Sequence, residues 1–107
     1  MAFKVLFIVR APKSDPAKDR SFLKTENIEV TTIAFDLEDS AGIIETCTKL
    51  TNESGIHAIV LCPAVSNELV AKLSEQVGDK VAIFVGRGDF QSVHIASQIT
   101  MKEWFNK

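Results

Sequence analysis

Two arginines stand where anion chemistry would be done. Arg10 follows the apolar run Val5 to Val9 directly, and Arg87 follows the run Val81 to Val85 after a single glycine. If both runs are parallel strands, both guanidinium groups leave the sheet at its carboxyl edge. Helices expected to open near Ser66 or Asn67 and near Asp89 would aim unpaired N–H groups and positive dipole ends at the same edge. Such a set suits a carboxylate or phosphate, because a planar fork of donors matches two anionic oxygens. The expected ligand-binding residues are therefore Arg10, Pro12, Cys62, Ser66, Asn67, Arg87 and Asp89. A plainer reading pairs the arginines with Asp36 or Asp89 at the surface, where ion pairs contribute little.

Cys62 is a candidate nucleophile at that edge. A thiol close to a helix start and an arginine is biased toward thiolate, but a base is missing. His57 lies five residues earlier on the same strand and on its opposite face, roughly 16 Å away by strand rise. His94 falls inside the last helix and reads as an amphipathic surface position. An enzyme using Cys62, or an acid–base carboxylate at Asp36 or Asp89, stays as the third-ranked reading. Cys47 and Cys62 lack a CxxC spacing and lie in apolar surroundings, so both are expected as reduced thiols. No two histidines or cysteines stand at a recurring ligand spacing, and no metal is expected. Gly86-x-Gly88 is too short for a dinucleotide loop. That fingerprint would also follow the first strand, where this chain has Arg10-Ala11-Pro12, so no cofactor is expected.

The elements that must position these groups follow from apolar periodicity. Phe3 to Val9 is apolar on both alternating faces apart from Lys4, as a strand buried between two layers is. Asp15-Pro16 has the form of a helix start, predicting a short helix to about Lys24. Ile28 to Phe35 is a β-branched strand with polar positions mixed in, which assigns it to a sheet edge. Leu37 to Ser54 reads as a helix, capped by Asp36 or Asp39, with Ile43, Ile44, Cys47, Leu50 and Thr51 on one face and Gly55 ending it. Ile56 to Leu61 is a third strand, closed by Cys62-Pro63. A helix follows from Ser66 or Asn67 to Gly78, then a strand over Val81–Val85, and a last helix from about Phe90 to Trp104. The expected fold is a single α/β domain over residues 1–107. Its four-stranded, mostly parallel sheet has helices on both faces and the flavodoxin-like order 2-1-3-4. In that order the ligand crevice opens between the first and third strands.

Composition narrows the partners. Of 107 residues, 46% are hydrophobic and 24% charged, which is ordinary for a globular domain and excludes disorder. A net charge of −2 gives no general pull toward nucleic acid or an anionic membrane. Residues 1–25 carry six Lys/Arg against two Asp, so the segment after the first strand is a candidate basic rim. Met1-Ala2-Phe3-Lys4-Val5 enters a strand pattern without a charged and apolar leader, and a cytoplasmic location is expected. Trp104 and Phe105 either dock on the parent domain or anchor a partner. A small open sheet also leaves edges that a second copy commonly covers, so a homodimer or other homo-oligomer is expected.

The stretches Val5 to Arg10, Ala11-Pro12-Lys13-Ser14-Asp15-Pro16, Gly55 to Cys62 and Val85-Gly86-Arg87-Gly88-Asp89 resemble a family of small, uncharacterised bacterial α/β proteins, a domain of unknown function. The Ala-Pro-x-x-Asp-Pro turn is the most specific of them, and the likeness runs over roughly residues 5–89. Two departures stand out. A glycine-rich, histidine-containing loop after the cysteine is replaced here by Pro63-Ala64-Val65-Ser66-Asn67, and the tail after Asp89 differs. The resemblance implies the fold and a bacterial origin, and it assigns no activity. Three readings follow in order: a small-molecule or anion-binding domain, a homo-oligomeric or partner-binding module without catalysis, and an enzyme.

Overall fold

Asp15 caps a single turn and no helix follows. Its carboxylate accepts from the Ala17 N–H at 3.0 Å, and its carbonyl accepts from Lys18 and Asp19 at 3.0 and 2.7 Å. Beyond that turn the chain straightens into a strand. The computed structural model describes residues 2–86 and 90–105. Its elements are β1 (Phe3–Arg10), β2 (Arg20–Lys24), β3 (Ile28–Phe35), α1 (Ser40–Ser54), β4 (Ala58–Leu61), α2 (Asn67–Val77), β5 (Ala82–Val85) and α3 (Phe90–Thr100). α3 runs on into a π-helical turn, Met101–Phe105.

The sheet has five strands in the order β2-β3-β1-β4-β5. β3, β1, β4 and β5 are parallel, and β2 joins β3 antiparallel. This corrects the four-stranded expectation and moves Ile28–Phe35 from the edge to second place. The physical reason is local. Arg20 to Lys24 offers only Phe22 and Leu23 as apolar residues, too few to hold a short helix on a core. As a strand it satisfies the backbone groups that β3 would otherwise leave at an open edge. The hairpin between them is tied by Thr25, whose hydroxyl accepts from the Asn27 and Ile28 N–H groups at 3.3 and 3.2 Å.

The core lies on one face of the sheet. Leu6 and Ile8 of β1, Ile33 and Phe35 of β3, and Ile59 and Leu61 of β4 are fully buried there with Ile43 and Cys47 of α1 and Leu73 of α2. α1 begins at Ser40, three residues later than expected, because Asp39 accepts from the Gly42 N–H at 2.9 Å and so serves as the cap. It ends at Gly55, whose φ of 67° is open to glycine without strain.

The other face differs from the expected second helical layer. α1 and α2 share the first face, and among the described residues of α3 none is buried. α3 lies over the carboxyl ends of β1 and β4, and among the described residues no helix packs across the rest of the second sheet face. Across the five strands that face reads Leu23, Val30, Val5, Ala58 and Ala82.

Candidate functional site

Arg10 is the last residue of β1, and its side chain turns toward the α1 side of the sheet. It is only 8% exposed. Its Nη2 donates to the Leu37 carbonyl and, at 3.4 Å, to the Ser40 hydroxyl, while its Nε is buried without a partner. The guanidinium therefore stitches the end of β1 to the loop that opens α1. It does not pair with Asp36. That carboxylate instead accepts from the Leu37 N–H at 2.7 Å and the Lys13 N–H at 3.4 Å. Lys13, at φ 62°, sits in the left-handed region that the turn after Pro12 imposes.

Cys62 leaves β4 beside Arg10. Its N–H donates to the Ile8 carbonyl at 3.1 Å, and its thiol is free and half-buried. Ser66 caps α2, its hydroxyl accepting from the Leu69 N–H at 3.2 Å, and Asn67 is the first residue of that helix. Arg87 and Asp89 lie outside the described residues. The histidines are elsewhere. His57 stands at the amino ends of the strands, accepting the Lys4 N–H on Nδ1 at 2.9 Å and stacking on Phe3 with ring centroids 5.8 Å apart. His94 is exposed on α3. Burial pushes the Cys47 thiol up to about 12, which leaves it neutral and inert.

Two cavities divide the expected residues between them. A groove of about 310 Å³ runs between the first turns of α1 and α2, touching Ser40, Ile44, Ser66 and Leu69. A larger cavity of about 620 Å³ opens between the carboxyl ends of β1 and β4 and the inner side of α3. Arg10 and Cys62 belong to the wall of the larger one, and Ser66 to the smaller. The larger cavity lies at the strand switch point: the chain leaving β1 runs toward the β2–β3 edge, and the chain leaving the neighbouring β4 runs toward β5. Its outer wall comes from Val93, Ser97, Thr100 and Trp104, none of which was singled out for the crevice from the sequence. Their spacing, at steps of four, three and four residues, is a helical stripe. It was legible in principle, but its mix of small and polar residues resembles an ordinary surface face. Trp104 turns toward the parent domain, whereas Phe105 is 58% exposed.

The sequence model of a family of unknown function, DUF6506, matches residues 3–100. The chain belongs to that family. The match carries the DUF6506 likeness beyond Asp89 and through α3, so the α3 wall of the larger cavity lies within the region of family similarity up to Thr100. No curated protein and no solved structure matches the chain. Among the described residues of this DUF6506 chain, no helix is long and apolar enough to cross a membrane.

Proposed function

We propose that this chain is a binding domain for a small molecule with an apolar body and an anionic or other polar head. The ligand occupies the cavity between β1, β4 and α3. The observation that carries this reading is the cavity itself. Its volume of about 620 Å³ lies inside the roughly 300–1,000 Å³ range of small-molecule sites. Apolar groups dominate the wall, through Val9, Pro63, Val93 and Trp104, and the hydroxyls of Ser92 and Ser97 are the polar groups that would orient a head. Arg10 lines the same wall at the end of β1, with its guanidinium committed to the Leu37 carbonyl on the α1 side. Cys62 lines the same wall, yet no imidazole stands beside it, which favours binding over nucleophilic chemistry. Two free thiols suit a reducing, cytoplasmic compartment.

Thermal unfolding with octanoate, octanol and inorganic phosphate tests this. At ten times its Kd a ligand stabilises by about 1.4 kcal/mol, a rise in Tm of roughly 5–10 °C for a domain this small. Octanoate should produce such a rise, and Ser97→Trp, which fills the cavity, should abolish it without lowering the ligand-free Tm by more than a few degrees. No response of the unaltered chain to octanoate or octanol would overturn the reading. A response to phosphate alone would move the site off this cavity.

A further inference from the structure

The uncovered sheet face carries no charge. Besides the row already named, the next row reads Ser21, Thr32, Phe7, Val60 and Phe84 across the five strands. Leu23 and Phe84, at opposite edges of that face, are 60% and 57% exposed. α3 repeats the pattern. No Asp, Glu, Lys or Arg occurs from Phe90 to Met101, and Ile95 and Ile99, opposite the cavity wall, are half exposed. Gln91, His94 and Gln98 share that outer side, so it offers two half-exposed isoleucines among neutral polar groups. The radius of gyration, 14.4 Å, exceeds the roughly 13 Å of a close-packed chain of this length.

We propose that a second copy of this chain covers the open face, in a two-fold dimer where the α3 arm of each copy lies against the sheet of the other. Three considerations select this occupant. The face is five strands, or roughly 24 Å, wide, and one helix about 10 Å across covers less than half of it. The chain's own arm therefore could not close the face by folding back alone. The face offers roughly 500 Å², and the outer side of α3 with its terminal turn adds roughly 250 Å². Together they approach the roughly 800 Å² per partner of a stable interface, and neither does so alone. A two-fold contact also sets each residue near the axis against its own copy, which a charged face resists and this neutral one permits. The described residues of the sheet face offer a foreign partner no charged group to recognise, and the charges of the arm are Lys102 and Glu103 of its terminal turn. The inference is independent of the ligand reading above.

Sedimentation equilibrium of the full chain at 5–100 μM, about the range that separates weak from standard interfaces, tests it. The expected mass is about twice the 11.8 kDa of the chain. Phe84→Glu and Ile99→Glu should each weaken the dimer by about thirtyfold or more, as loss of a central apolar anchor does, with the far-UV circular dichroism unchanged. Leu23→Lys, at the exposed opposite edge, gives the same reading should Phe84→Glu fail to fold. A chain that is monomeric at 100 μM overturns the proposal. So does a dimer that survives the folded variants, since it would then join through the β5 edge or the α1–α2 side.

Discussion

Replacing Arg10 isolates what a buried guanidinium does at the end of β1. The side chain is held under the loop that opens α1, with one bond to the Leu37 carbonyl and a long one to Ser40. A hydrogen bond from a charged donor contributes about 1.5–3 kcal/mol, and the 3.4 Å contact adds little. Truncation to alanine also removes a methylene stem from the interior, about 2 kcal/mol at roughly 0.8 kcal/mol per buried CH₂. Against this, the buried Nε has no partner, and removing it recovers about 1–3 kcal/mol of desolvation. The balance for Arg10→Ala is a loss of about 2 kcal/mol, a fall in Tm of roughly 8–16 °C. Arg10→Met keeps the stem and sheds the unpaired donor, so the two polar terms nearly cancel and the loss falls to about 0–1 kcal/mol. Urea unfolding followed by circular dichroism measures both, and the slope against denaturant should not change. An alanine variant as stable as the parent chain would show that Arg10 is not a stitch. A methionine variant as damaged as alanine would show that the buried stem contributes nothing.

Two further perturbations test the helices on the covered face. The Cys47 thiol is pushed up to about 12 by burial, whereas in the unfolded chain it titrates near 9.0. Its stabilising contribution is complete below the lower value and declines as pH rises from there toward the upper one, by up to about 1.4 kcal/mol per pH unit. Stability against pH should therefore fall more steeply between pH 9 and 11 in the parent chain than in Cys47→Ala, and parallel curves would refute the assignment. Gly55→Ala meets no neighbouring atom, so its cost comes only from placing a side chain at φ 67°, about 1 kcal/mol, with Gly55→Asn costing less. Equal stability of Gly55→Ala and the parent chain in urea would count against the left-handed cap.

Much of the architecture could be read from the residues alone, wherever a local pattern was stronger than its alternatives. The uniformly apolar runs around Val5–Val9, Ile56–Leu61 and Val81–Val85 became β1, β4 and β5. The helices ended at Gly55, a left-handed cap, and at Gly78, whose positive φ glycine also takes without strain. The α/β class and the parallel direction of those strands followed from long connections that no hairpin could replace. Asp15-Pro16 misled because capping chemistry is shared by a helix and by a single turn, and only what comes next distinguishes them. The deciding factor there was β3, whose open edge Arg20–Lys24 pairs as the first arm of a hairpin.

For the candidate site, the sequence determined that Arg10 and Cys62 leave neighbouring strands at one edge, because parallel strands with alternating side chains allow little else. Tertiary structure decided what each group faces there. Arg10 sits on the α1 side of the sheet because of its parity along β1, and the Leu37 carbonyl, 27 residues away, occupies the direction its guanidinium takes. The cavity beside Cys62 depends on where α3 comes to rest against the ends of β1 and β4, which is a matter of packing. The charge-free face is the same case. On β1, β3 and β4 its residues alternate with core positions, so the apolar ones look buried in the sequence, and only the packing of α1 and α2 on a single side leaves them open.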